Sequence, residues 1–71
     1  MSDLDQIVER LRSASEDLSD HAIRILSEAS RAGETRRPDA ERTITQARRA
    51  VEKAIALLER VDRLDEADLD D

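Results

Sequence analysis

The sequence predicts an all-α protein: an antiparallel hairpin of two long helices that dimerises into a four-helix bundle. Apolar residues recur at seven-residue intervals along two long segments, as they do on one face of a helix. The only glycine and the only proline both lie between these segments. The 71-residue chain has no cysteine and no aromatic residue. Its core is therefore aliphatic and thin, and we expect self-association to complete it.

The first segment predicts a helix over residues 3–32. Its apolar face repeats every seven residues, at Leu4, Leu11, Leu18, Ile25 and Ala32. The serine-rich stretch "SASEDLSD", residues 13–20, allows an alternative in which Ser15 or Ser19 caps a new helix and the chain forms three short helices. The seven-residue spacing runs through this stretch without a phase break, which favours one continuous helix.

Residues 33–37 are predicted to form the turn. Gly33 follows the last periodic residue, where the end of a helix often requires a positive φ angle. Pro38 suits the first position of a following helix and disfavours a helical conformation at Arg37. Because the connection is short, we expect the two helices to be antiparallel neighbours.

The second segment predicts a helix over residues 38–64. Its apolar positions are Ala40, Ile44, Ala47, Val51, Ala54, Ile55, Leu58, Val61 and Leu64. Residues 65–71, "DEADLDD", are mostly acidic and lie past the last periodic position, so we expect a disordered tail. The chain then consists of one helical domain, residues 1–64, and this tail.

The apolar surface is broader than one hairpin needs. Ile23 and Leu26 lie away from the first apolar face, and Ala50 and Leu57 widen the second. A second copy of the hairpin is the simplest use of this surplus, and a helix of another protein docked in the groove is the alternative. The residues predicted to form the core and the dimer contact are Leu11, Leu18, Ile25, Ile44, Val51 and Leu58.

The net charge of −6 argues against nucleic acid as a partner. Basic residues nevertheless cluster on an outward side of the second helix, at Arg42, Arg49, Lys53 and Arg60. They predict either a solvated face or a docking strip for a partner. A second basic cluster flanks the turn and consists of Arg31, Arg36 and Arg37. These arginines either neutralise the carbonyls that end the first helix or bind an anion such as a phosphate group.

Candidate chemistry is sparse in this sequence. His21, the only histidine, could share a helix face with Asp17 and Glu28 and hold a metal ion in a dimer. The Glu-x-x-His spacing of helical-bundle metal sites is missing, so a structural histidine is favoured. There is no cysteine nucleophile and no serine framed by glycines, and we therefore expect no enzyme activity and no cofactor.

These observations favour a non-catalytic protein–protein interaction or regulatory module. Two alternatives are a small regulator that binds a nucleotide or other phosphate ligand through its arginines, and a metal-binding helical bundle. No stretch is long and apolar enough to span a membrane, and we expect a cytoplasmic protein.

Overall fold

The protein is an all-α helical hairpin. The computed structural model describes the backbone of residues 3–69 and the side chains of residues 3–61, 63 and 64. Helix α1 spans Asp3–Arg31 and helix α2 spans Asp39–Leu69, and the described residues contain no strand. The predicted all-α fold of two long helices in a hairpin is confirmed. The alternative of three short helices is wrong, because α1 runs without a break through the serine-rich stretch.

Three pairs of side chains fix the antiparallel register of the helices. Near the open end of the hairpin, Arg12 Nη2 lies 3.0 Å from Glu59 Oε2. Closer to the turn, Ser15 Oγ donates to Glu52 Oε1 at 3.4 Å, and Arg48 Nη1 donates to Ser19 Oγ at 3.0 Å. Residue numbers rise along α1 as they fall along α2, so the helices run in opposite directions side by side.

The two helices meet along a seam whose positions alternate between three and four residues apart, as in a coiled coil. On α1 the seam consists of Leu4, Val8, Leu11, Ser15, Leu18, Ala22, Ile25 and Ala29, and on α2 of Glu41, Ile44, Arg48, Val51, Ile55 and Leu58. All are buried or half-buried, and they include the six residues predicted for the core. Among the described side chains, only Val8 and Ile55 are apolar and less than a tenth exposed.

Helix α1 ends in a Schellman motif. Gly33 adopts a φ of 81°, in the left-handed region that glycine enters without strain. The Glu34 amide donates to the carbonyl of Ala29 and the Gly33 amide to that of Ser30, both at 3.0 Å. These two bonds satisfy carbonyls that the end of a helix leaves without partners. The turn therefore closes through backbone hydrogen bonds alone.

Helix α2 begins directly after Pro38. The carbonyl of Pro38 accepts the first helical hydrogen bond, from the amide of Arg42 at 3.2 Å. Pro38 is therefore the N-cap residue of α2. The sequence pattern predicts Pro38 as the first helical residue, which is one position later. Asp39 lies in the first turn of α2, where a negative charge is favoured, and its carboxylate also pairs with Arg42 at 2.8 Å.

The end of α2 lies further along the chain than the sequence pattern indicates. The helix continues to Leu69, whereas the apolar periodicity predicts its end at Leu64. Residues 65–69, "DEADL", contain neither glycine nor proline, so nothing in the local sequence stops the helix. Of the predicted acidic tail, Asp70 and Asp71 lie outside the described residues.

The hairpin is long and flat. Its Cα atoms extend over 61 × 19 × 10 Å, with a radius of gyration of 17.1 Å. A compact chain of this length has a radius of gyration of about 11 Å. Each helix therefore has one neighbour and is open on its other sides. Neither helix has a stretch of described residues that is apolar enough to cross a bilayer.

Replacing Gly33 by alanine should destabilise the hairpin. A Cβ atom at this position meets no atom within 4 Å, so the expected loss comes from backbone strain at positive φ and not from a clash. We expect the free energy of unfolding to fall by about 1–2 kcal/mol, measured by urea denaturation followed by circular dichroism. The matched control is Thr35→Ala in the same exposed turn. Equal stability of the two variants would contradict this account of the turn.

Candidate interaction surface

The seam divides the hairpin into two faces of different chemistry. In a right-handed helix each step along the chain turns the side chain by about 100°. Because the helices are antiparallel, the residues that directly follow a seam residue lie on one face of the hairpin in both helices. Those that directly precede a seam residue lie on the opposite face. We call these the following face and the preceding face.

The following face is polar where the helices meet. Arg12 and Ser19 of α1 lie on it, as do Glu52 and Glu59 of α2. These residues take part in the three pairs that join the helices across the seam. The side chains of Arg12, Glu52 and Glu59 are about half exposed, and exposed ion pairs contribute little to stability. Their main effect is on register, since each charge has its partner in only one alignment.

The preceding face of α2 carries a continuous stripe that is almost entirely apolar. We call it the outer stripe, and it consists of Ala40, Thr43, Ala47, Ala50, Ala54, Leu57, Val61 and Leu64. From Ala40 to Leu57 each of these residues lies one position before a seam residue, and Val61 and Leu64 continue the same alternation of three and four residues. The outer stripe therefore repeats the seam spacing on another side of the helix. Leu57 is 49% exposed, Val61 39% and Leu64 59%. A second helix could pack along this stripe as α1 packs along the seam.

Other exposed apolar residues are distributed unevenly between the two faces. Ile7 directly precedes Val8 and lies on the preceding face, near the open end of the hairpin where Val61 and Leu64 also lie. Ile23 and Leu26 directly follow Ala22 and Ile25 and lie on the following face, closer to the turn. The large apolar side chains of the preceding face are thus concentrated on α2 and at the open end.

The predicted basic docking residues lie on the outward side of α2, and all are exposed. Arg42 forms an ion pair at 2.8 Å with the carboxylate of Asp39, which lies one helical turn earlier in α2. Arg49, Lys53 and Arg60 make no ion pair with any described residue. Three of the four predicted residues therefore present unpaired positive charge away from the seam.

The arginines around the turn have different environments. Arg37 forms a two-pronged ion pair with Glu41, and its Nη2 lies 3.0 Å from Glu41 Oε1. Thr45 Oγ1 donates to the same carboxylate oxygen at 2.8 Å. Arg31 and Arg36 are exposed and pair with no described acid. The open depression at the turn, lined by residues 33–39, thus has one of its arginines already neutralised.

Glu41 occupies a seam position and is only 4% exposed. The hydrogen bonds from Arg37 and Thr45 stabilise its ionised form and hold the pKa of its carboxyl below the ordinary value, although desolvation acts in the opposite direction. The same hydrogen bond raises the pKa of Arg37, so that residue stays charged. The sequence pattern did not indicate this cluster, because a glutamate at a seam position breaks the apolar periodicity that reveals the seam.

The residues considered for a metal site are all exposed on α1. His21 directly precedes the seam residue Ala22 and lies on the preceding face, with Asp17 one turn before it and Glu28 two turns after. Within the described part of the chain, no three histidine or acidic side chains come close enough to hold a metal ion.

Comparison with known proteins adds no further information on function. No protein-family model matches the chain, and searches of the curated proteins and of the solved structures found no match. The arrangement of the described residues is therefore the basis for a functional proposal.

The ion pair between the buried carboxylate of Glu41 and the half-exposed Arg37 predicts a specific pH dependence. Because the pKa of Glu41 is lower in the folded state, ionised Glu41 stabilises the hairpin above the ordinary carboxyl pKa of 4.5, and this stabilisation is lost as the pH falls below it. Glu41→Gln should therefore lower stability at pH 7, and the difference from the wild-type protein should shrink between about pH 5 and pH 3. Urea denaturation at each pH measures both effects.

The control for this experiment is Glu59→Gln, which removes the exposed ion pair with Arg12. Its side chain is 49% exposed, so we expect a stability change within about 0.5 kcal/mol at pH 7. A pH-independent effect of Glu41→Gln, or an equal effect of both substitutions, would show that the ionised Glu41 does not stabilise the hairpin.

Proposed function

We propose that this protein is a non-catalytic interaction module that self-associates through its aliphatic helix faces into a homodimeric four-helix bundle. The observation that carries the proposal is the outer stripe, which presents Leu57, Val61 and Leu64 to solvent at the spacing of a helix-packing seam. Soluble monomers rarely expose continuous apolar surface of this kind, and such surfaces commonly mark contacts with proteins.

The exposed area supports the same proposal. The chain has an accessible surface of 5734 Å². A compact monomer of 8.0 kDa exposes about 4,450 Å², so the hairpin exposes about 1,300 Å² more than a compact monomer of its mass. A specific protein interface covers about 800 Å² on each partner. The excess is large enough to supply one such interface.

The interior of the hairpin gives a second reason to expect a partner. Three seam positions carry the polar residues Ser15, Glu41 and Arg48, and two described apolar side chains are buried. A chain of this length has little stability to spare when its core is so small. A second copy packed on the outer stripe would bury the open apolar side of α2 and add the apolar burial that one hairpin lacks.

A non-catalytic role is consistent with the polar groups available. The depression beside Ser15 is open and is lined by Arg12, Glu52 and Glu59, which already bind one another or Ser15 across the seam. An enzyme site needs polar groups that converge on a substrate in a sheltered pocket.

We assign Arg49, Lys53 and Arg60 to contact with an acidic surface of another protein, since they project from the outward side of α2.

The proposal predicts that Leu57→Glu dissociates the dimer. The substitution places a charge in a buried contact of each subunit, so the dimer dissociation constant should rise about 100-fold or more. Sedimentation equilibrium over a wide concentration range measures the change, with circular dichroism recorded on the same samples to follow helix content.

The matched control is Ile23→Glu, which makes the same type of change at a more exposed apolar residue, 58% accessible, on the other face of the hairpin. We expect this variant to keep the wild-type molar mass. A monomeric wild-type protein with full helix content, or a dimer that tolerates Leu57→Glu, would overturn the proposal.

A further inference from the structure

We propose that the second copy packs α2 against α2 in antiparallel orientation, about a two-fold axis that passes between Ala50 and Ala54. This inference rests on the proposed self-association and specifies which surfaces meet and in which direction. In a dimer with two-fold symmetry the same patch is used by both subunits, so it must be complementary to itself. The outer stripe meets this condition in both spacing and side-chain size.

The spacing of the outer stripe is the same when read in either direction. Its intervals alternate between three and four residues from Ala40 to Leu64, beginning and ending with three. When the stripe is laid against a reversed copy of itself, each stripe residue of one copy therefore lies opposite a stripe residue of the other. The facing pairs are Ala40 with Leu64, Thr43 with Val61, Ala47 with Leu57, and Ala50 with Ala54, each formed twice.

Side-chain sizes are complementary in the same alignment. The large residues Leu57, Val61 and Leu64 lie in the second half of the stripe, and the first half consists of alanines and one threonine. Reversal therefore sets both leucines against alanines and Val61 against Thr43, which is of similar size, so neither leucine meets a second large side chain. At the centre Ala50 faces Ala54, so the two helices can approach most closely where they cross.

Other alignments use the stripe less well. A parallel arrangement would place Leu57 and Leu64 against their own copies and the alanines against alanines, forcing the helices apart at the open end and leaving a gap near the turn. An antiparallel arrangement shifted by seven residues would leave either Ala40 and Thr43 or Val61 and Leu64 uncovered. The unshifted antiparallel alignment alone covers all eight positions without setting leucine against leucine.

Helix α1 does not offer an equivalent surface. On the same preceding face it carries Arg10, Asp17 and Arg24 at the positions that continue the stripe of Ile7 and Ala14. Packing α2 of one copy onto this face would bury charge against leucine. The stripe on α2 is therefore best covered by the same stripe of a second copy, with Ile7 extending the contact at the open end.

Cysteine cross-linking tests the alignment directly, since the native chain contains no cysteine. The variants are Ala50→Cys and Ala54→Cys, two small substitutions on the stripe, each prepared alone and checked for wild-type molar mass under reducing conditions. Under mild oxidation, an equimolar mixture should form disulfide-linked dimers about tenfold faster than either variant alone, because only sulfurs in facing positions lie within disulfide reach. Non-reducing denaturing gels measure the yield.

Each other outcome contradicts a defined part of the inference. Faster cross-linking of Ala50→Cys to itself than to Ala54→Cys would indicate a parallel arrangement, and the antiparallel proposal would fail while self-association stands. Absence of cross-links in a protein that sedimentation shows to be dimeric would place the contact elsewhere. A monomeric wild-type protein would overturn both the proposed function and this inference.

Discussion

The limited burial along a single seam between two helices is the constraint on which the rest of this structure depends. The chain has only aliphatic residues and alanine to place in that seam, and polar residues occupy three of its positions. Apolar burial contributes about 25 cal/mol per Å² of area, and two helices in contact along one side leave most of their surface in water. The open apolar side of α2 and the proposed second copy both follow from this shortage.

Polar residues within and beside the seam define the geometry of the hairpin. Glu41 is held between Arg37 and Thr45 next to the turn, and Ser19 and Glu59 each meet an arginine of the other helix further along. Interactions of this kind add little free energy at exposed positions. The pairs that join the two helices have partners in one alignment only, so they discriminate against shifted registers that aliphatic residues at a seven-residue repeat would tolerate.

Local sequence features were sufficient to predict most of the fold. The glycine at position 33 and the proline at position 38 act through their own backbone preferences, so the turn can be predicted without knowledge of distant contacts. The seven-residue repeat likewise predicts both helices without knowledge of distant contacts. The end of α2 was harder to predict, since apolar periodicity stops at Leu64 while the backbone has no reason to leave the helical conformation before Leu69.

The candidate surface could be predicted only in part. Ala50 and Leu57 are recognisable in the sequence as surplus apolar residues, but which apolar side of α2 faces α1 depends on how the helix is rotated in the hairpin. That rotation is set by contacts between distant residues, such as those of Arg48 and Glu59 with α1. The burial of Glu41 depends in addition on Arg37, which lies just before α2 and pairs with the Glu41 carboxylate. A pattern of apolar residues does not encode this ion pair.

The short Schellman turn has a consequence for the reach of the assembly. In the proposed dimer the two turns point in opposite directions, and the first residues of the two α2 helices are separated by about 40 Å along the bundle axis. Each turn presents Arg31 and Arg36 without a described acidic partner. The alignment that sets Ala40 against Leu64 also places residues 65–69 of one copy, "DEADL", at the level of the other copy's turn, so each pole of this rod combines two arginines with an acidic helix end. A binding partner with a single site for such an end would engage one pole at a time, whereas two sites spaced by the length of the rod would be bridged with the gain of bivalent attachment.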